Sequence, residues 1–450
     1  MESFSDGGFA NGLAVDGLPV VEPTRERVLE MLSGADPEES LGPVPPSLRQ
    51  CDLWRVAACA VCAGCEPRAF EALVAATRAA LAPAFNAHGA GATTMGCTPL
   101  VVLSGGAQMT AGVSGGGGCF GSGHRGNATL GRALKLVLHH VGGARLGGTE
   151  CTTIGTPAKI CACVGERASR GGWAPYTAAP AVTVHPCTSA TLVTDFDQTD
   201  PEDVMRSIGL ALAHGCWGAR FPLCSSALVL VSPEHETTLR KKYATRDAFR
   251  DALFLETARI SAPYLGGLIA SKAGSLLGAL APYALSAAGA LGMTPLPKFE
   301  RPESIHVVVC GADAGKFSVV CGGFGAGKEG MPTYRLSAPS SAPVTALRRC
   351  AAAPRPLPKI VDPRHEAGAG PAWKLAPRTG APLNGTVALL DISKGGGSDF
   401  LDGVEAYLCK MYDAVDVRRF VKPTFSRNAP DALVAEIAAV AAYVVIGVAD

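Results

Sequence analysis

Aromatic residues are scarce, at 6% of the chain, and charge is thin and balanced, with 18% charged residues and a formal net charge of +1. So few rings argue against the stacking platforms that hold single-stranded nucleic acid, and so little net charge argues against steering toward nucleic acid or an anionic membrane. The N-terminus, MESFSDGGFANGLAVDGL, lacks the basic start and apolar run of a secretory signal. The 16 cysteines run from Cys51 to Cys409 without the regular spacing of a small disulfide scaffold. They read as reduced, buried small hydrophobes in a cytoplasmic protein. No H-E-x-x-H, no phosphate-binding G-K-[ST] and no G-x-S-x-G occurs. A strongly apolar run is missing too. Ala273–Gly292 carries no charge, but it is built of Ala, Gly and Ser around Pro282, which suits a buried or interfacial helix better than a membrane span.

What is present is a large core. Hydrophobic residues make up 48% of the 450, with 54 glycines and 33 prolines clustered in shaped loops. The expected fold class is multi-domain α/β. Residues 1–49 read as an irregular leader, 50–200 as an N-terminal α/β domain, 201–336 as a second α/β part of the same body, and 337–384 as a Pro/Ala-rich linker. In 201–336, DPEDVMRSIGLALAHG reads as a helix started by Asp200, and TRDAFRDALFLETARI as one capped by Thr245, among strands SALVLVS, IHVVVCGA and FSVVCGG. From 385 to 450, VALLDI, DFLDGVEAYLCKMYDA, VDVRRFV, DALVAEIAAVAA and YVVIGVA alternate as βαβαβ, which predicts a parallel sheet cut off after its third strand. The β-branched run of that last strand reads as buried.

Four stretches carry candidate chemistry. Gly115–Arg132, GGGGCFGSGHRGNATLGR, contains G-x-G-x-x-G at Gly121, Gly123 and Gly126. A dinucleotide fingerprint needs a strand directly before its glycines, whereas PLVVLS ends well upstream, so the cofactor reading fails. What survives is a helix start with exposed amides, N-capped by Asn127, that suits an anion such as a carboxylate. Cys119 and Arg132 add chemistry around it; a glycine-rich packing turn is the plainer alternative. FNAHGAGATT puts His88, Thr93 and Thr94 in a second glycine-rich loop, where a histidine serves either acid–base work or the core. Cys59, Cys62 and Cys65 in CAVCAGC are three-quarters of an iron–sulfur run, but the fourth cysteine is missing and the surroundings read as a packed helix. Finally, the C-terminal strands lead into loops bearing Lys394 and Lys422, on one edge of a parallel sheet. Ammonium groups there would activate a neighbouring thiolate or selenolate, the plain alternative being solvated lysines.

AGCEP with FNAHGAGATT, and GGGGCFGSGHRGNATLGRALKL with VGGAR, resemble the first domain of the UGSC-family (seleno)proteins. SSALVLVSPEH and IHVVVCGADAGKFSVV resemble that family's middle part, and VALLDISKGGG, RFVKPTFSR and YVVIGVAD its C-terminal domain. The resemblance implies that the last strand runs into Sec-Gly-Ser-Cys or Cys-Gly-Ser-Cys, so that the chain stops one residue before the signature and selenocysteine is the expected next residue. A terminal strand without its crossover helix would leave apolar sheet surface exposed.

The resemblance implies a selenol- or thiol-dependent oxidoreductase acting on a small anionic molecule, with its principal nucleophile after Asp450. Cys119, His88, Lys394 and Lys422 are the catalytic candidates, and Thr93, Thr94, Asn127, Arg132 and Lys159 the substrate-binding ones. Apart from selenocysteine no cofactor or metal is expected. A thiol reductant or redox partner protein would complete the cycle, and an oligomer is compatible with the sequence. The alternatives are a non-catalytic small-molecule-binding or regulatory protein, and an iron–sulfur protein. Reading the nucleotide sequence past the codon for Asp450 tests the expected signature: an in-frame UGA followed by Gly-Ser-Cys supports it, and a UAA or UAG defeats it.

Overall fold

The computed structural model describes residues 16–167, 171–216, 226–258, 298–324, 339–348, 385–392, 397–412, 415–423 and 429–447. They fall in two compact units, one within 16–348 and the other within 385–447. The apolar stretch Ala273–Gly292 and Lys394 lie outside the described residues. No helix among those described is long and apolar enough to cross a membrane.

Part of the expected leader is ordered. RERVLEML places apolar residues at helical spacing, and Thr24 caps it by accepting a hydrogen bond from the Arg27 amide, giving α1 (Arg25–Leu32) with Val28, Met31 and Leu32 buried. A hairpin of β1 (Ser40–Val44) and β2 (Arg49–Asp52) follows. Next come α2 (Leu53–Ala63), α3 (Phe70–Leu81), the short α4 (Ala87–Ala92), β3 (Thr98–Ser104), the short α5 (Ala107–Ala111) and α6 (Arg125–His140). The chain continues through β4 (Cys163–Gly165), β5 (Ala181–Thr194), α7 (Pro201–Gly215), β6 (Ala227–Val231) and α8 (Pro233–Leu239). A helical stretch over 246–258 precedes β7 (Ile305–Val309), β8 (Phe317–Gly323) and β9 (Ser340–Pro343). Asp200 and Thr245 cap their helices as the sequence suggests, accepting from Glu202 and Ala248 amides. The expected linker gives four residues to β9, which pairs with β5.

The seven strands form one sheet, ordered β4-β3-β5-β8-β6-β7 with β9 on β5. β5 is the hinge of this sheet. Its first half pairs with β3, its second with β8, and its register shifts between Cys187 and Ser189. Alternation along the strands then sorts the side chains into layers. Leu100 and Val102 of β3 meet Leu228 and Leu230 of β6 and Val308 of β7 in a core between the two half-sheets. The opposite residues, Val101 and Leu103, face α2, α3 and α6. Val229, Val231, Val307 and Val309 face α7 and the 246–258 helix. The result is helices, half-sheet, half-sheet, helices.

In the second unit β10 (Gly385–Asp391), α9 (Gly397–Met411), β11 (Val415–Val421), α10 (Asp431–Val440) and β12 (Tyr443–Gly447) build a three-stranded sheet. Its order is β11-β10-β12 and both pairings are parallel, as the alternation predicts. β12 departs from the expected buried strand. It pairs only with β10 among the described residues, and Val444 and Ile446 are 49% and 53% exposed. A run of β-branched residues marks a strand without fixing how many of its faces are covered.

The third glycine of G-x-G-x-x-G has a packing reason. A Cβ on Gly126 would lie 2.1 Å from the Gly112 carbonyl oxygen, whereas one on Gly121 would meet its nearest atom at 3.6 Å. Gly126→Ala is therefore expected to cost ~1–3 kcal/mol of stability and Gly121→Ala no more than about 0.5 kcal/mol, read by denaturant unfolding of the two variants. Equal effects would defeat the close-approach argument.

Candidate functional site

The glycine-rich stretch 114–124 is a loop, and its organiser is Asn127. This side chain is 1% exposed. Its Oδ1 accepts from the Ser114 amide at 2.8 Å, while Nδ2 donates to the carbonyls of Ser114 and Cys119, each at 2.8 Å. It therefore is not the helix cap: the cap position belongs to His124, whose ring bonds the Gly117 carbonyl at 2.8 Å. The amide is consumed in fixing the loop to the start of α6. It has nothing left for a ligand.

The loop is laid over the C-terminal ends of β4 and β7. Gly165 donates to the Ser114 carbonyl at 3.1 Å, and Gly311 to the Gly115 carbonyl at 2.8 Å. Arg167 donates its amide to Val309 O and Nη1 to Gly311 O, both at 2.8 Å. Strand ends of both half-sheets thus meet under one loop, the usual place for a site in an α/β protein.

Cys119 lies at that meeting point, 4% exposed beneath a loop whose residues 117, 118 and 121–123 are exposed. Its thiol is held below the ordinary range. The neighbouring Cys310 thiol contributes most to that lowering, with help from the backbone at Gly311, Cys119 and Phe120, against the opposing effect of burial. Cys310 is pushed well up by its contact with Cys119 and by burial. Every other described cysteine with a resolved shift goes up: burial takes Cys51, Cys62, Cys65 and Cys97 to about 12 and Cys161 to about 11 and lifts Cys59 and Cys163, while the neighbouring Cys187 and then burial lift Cys321. Cys59, Cys62 and Cys65 pack in the core against α1, α3 and α6.

The structure separates the remaining candidates. Arg132 forms a two-point ion pair with Asp16, at 2.6 and 3.1 Å, and bonds Leu18 O. Lys159 belongs to a buried cluster at the other end of β3. Its Nζ lies 2.7 Å from Glu150 Oε1 and 3.0 Å from both Cys97 O and Thr152 Oγ1. Lys135 and His139 of α6 complete the cluster, 3.2 and 3.3 Å from Glu150 Oε2. Burial drives the pKa of both Lys135 and His139 down. The neutral imidazole donates through Nε2 to the carboxylate and leaves Nδ1 unbonded. Burial opposes the ionisation of Glu150, but His139 and the two lysines hold its carboxyl well below the usual range.

Thr93 and Thr94 belong to the adjoining loop. Thr93 is buried with its hydroxyl accepting from the Met95 amide, and Thr94 accepts from Thr153. His88 is half-buried in α4. Lys422 is in the second unit after β11, its amide donating to Asp391 O at 2.7 Å, with its ammonium pKa lowered by partial burial. Of the nine sequence candidates, Cys119 and Asn127 share one place, and Lys159 with Thr93 and Thr94 another.

Cys310 and Glu150 escaped sequence reasoning. Cys310 had a signal: it directly follows the strand Ile305–Val309 and precedes a glycine, at a strand's C-terminal end. Glu150 had none.

These features define a two-unit α/β protein with a buried pair of cysteines at converging strand ends of its first unit. Residues 359–450 match the model of the UGSC family, so the chain carries a UGSC-family domain there. No curated protein and no solved structure matches the chain.

Glu150→Gln leaves Lys135 and Lys159 facing each other without their carboxylate, which is expected to cost ~3–5 kcal/mol. Since the Glu150 pKa is depressed on folding, the stability it supplies is complete above its unfolded pKa of about 4.3 and drains away as pH falls below it. Denaturant midpoints of the wild type should therefore fall below that pH, and Glu150→Gln should flatten that part of the profile. An unchanged slope would show that the cluster is not what titrates.

Proposed function

We propose that the protein is a selenol- or thiol-dependent oxidoreductase acting on a small anionic molecule, with Cys119 as the working thiol of the first unit. One observation carries this reading: Cys119 lies under an amide-rich loop bonded over converging strand ends, in the same core as Cys310, and its thiol is lowered there. A thiolate is the nucleophilic form of cysteine, and reactive cysteines occur where fixed donors stabilise that charge. The same donors favour anions in general, which supports an anionic substrate. The UGSC-family domain is compatible with this chemistry through the selenol or thiol implied by the family resemblance. The competing reading, a binding protein without catalysis, uses the amide-rich loop but gives no reason for the thiol.

The test is alkylation of the native full chain by iodoacetamide and by iodoacetate, with mass mapping of the labelled peptides. Cys119 should label with a midpoint below the ordinary thiol pKa of about 8.5, while Cys62 and Cys97 stay unlabelled until the protein unfolds. Iodoacetate, the anion, should gain on iodoacetamide relative to their rates with a free thiol. Labelling of Cys119 that waits for unfolding, or a midpoint at or above the ordinary value, rejects the proposal.

A further inference from the structure

We infer that Cys119 and Cys310 are a redox pair: Cys119 attacks a small hydroperoxide and Cys310 resolves the product as a disulfide. This rests on the reading of Cys119 as a thiolate and adds a partner, a direction of attack and a class of oxidant.

The geometry comes from both sides of the pair. Cys119 and Cys310 belong to the same core between the half-sheets. Cys163, although near in the fold, points into the opposite core against α2, α3 and α6. Main-chain hydrogen bonds already pin the two segments together, Gly311 to Gly115 at 2.8 Å, and a Cβ on Gly117 would lie 3.4 Å from the Ala312 methyl. A disulfide needs its Cβ atoms within about 4 Å, so segments already in contact require little movement. Glycines supply that movement where it is needed. Gly118, directly before Cys119, has φ +69°, and Gly311, directly after Cys310, has φ +111°, conformations in which glycine is unstrained.

Position assigns the roles. Cys119 lies under the exposed glycine loop, the side from which an oxidant arrives, whereas Cys310 directly follows β7 in the far half-sheet; the lowered thiol of Cys119 and the raised one of Cys310 agree with that order. The buried Glu166 carboxylate further favours the protonated form of Cys310. In the first step the Cys119 thiolate attacks the distal oxygen of ROOH. The O–O bond breaks and an S–O bond forms; the peroxide's own hydrogen stays on the transferred oxygen, leaving Cys119 as the sulfenic acid, and the departing alkoxide takes up a proton from solvent to leave as ROH. Cys310 then attacks that sulfur, the S–S bond forms, and water departs with the Cys310 proton. Two electrons pass from the dithiol to the peroxide. A thiol reductant returns the pair to two thiols by exchange. Burial narrows the choice of oxidant: both cysteines lie at 4% and 6% exposure beneath the glycine loop, which favours a molecule as small as a hydroperoxide over a bulky disulfide.

The experiment treats the reduced full chain with hydrogen peroxide and maps its peptides without reduction. The expected result is a Cys119–Cys310 cross-link, a loss of two free thiols per chain, and full recovery with dithiothreitol. Cys310→Ser should halt the reaction one step earlier, with Cys119 as a sulfenic acid captured by dimedone at several times the wild-type level. A Cys119–Cys163 link, or dimedone capture in the wild type equal to that in Cys310→Ser, overturns the pair but leaves the reactive thiol in place. Failure of Cys119 to oxidise at all, together with failed alkylation, removes the underlying reading as well.

Discussion

The first unit depends on one buried carboxamide. A buried Asn side chain offers two donors and acceptor lone pairs, and leaving any unmet is costly. Asn127 meets them on Ser114, Cys119 and Cys163, three separate points of the chain. The consequence is a loop of glycines that does not behave as a free linker. Gly116–Gly118 would otherwise lose much conformational freedom on ordering. With the amide in place, the sulfur of Cys119 is aimed inward between the half-sheets, and the exposed side of the loop is backbone.

Two thiols show which electrostatic effect dominates here. Cys97 lies beside Lys135 and Lys159, the neighbours normally credited with activating cysteine, yet burial pushes it up to about 12. Cys119 gains its charge from a thiol and backbone amides and is lowered. The lysines are already committed to Glu150, at 3.2 and 2.7 Å, so little of their field remains for a sulfur. The buried cluster ties α6, the start of β3 and the 150–159 loop together. The glycine loop, at the other end of β3, holds the proposed working thiol.

Much of this was legible in the sequence, because period and caps are local signals. The βαβαβ order of the second unit follows from its alternating runs, and Asp200 and Thr245 mark helix starts, whereas the helix capped by Thr24 falls in the stretch expected as an irregular leader. β5 was not legible. Its fourteen residues change partners at Cys187, and a strand that serves two half-sheets shows no single alternation. Arg132 and Asp16 are 116 positions apart, and no spacing rule links them. For Cys119 the glycines marked a loop at strand ends. Its neighbour Cys310 comes from the far half-sheet and becomes visible only when the sheet folds over.

The UGSC-family domain applies the same architectural rule with different groups. The parallel strands β10, β11 and β12 end together, with Asp391 opposite Val421 and Gly447 in register. Glycine is again the residue of close approach, since a Cβ on Gly447 would lie 2.4 Å from Leu401. Lys422 stands on that edge with its pKa lowered by partial burial, since taking an ammonium out of water disfavours its charged form. The strand ends of the two units thus carry different groups, an ammonium in one and a pair of thiols in the other, while glycine lets the chain close in at both.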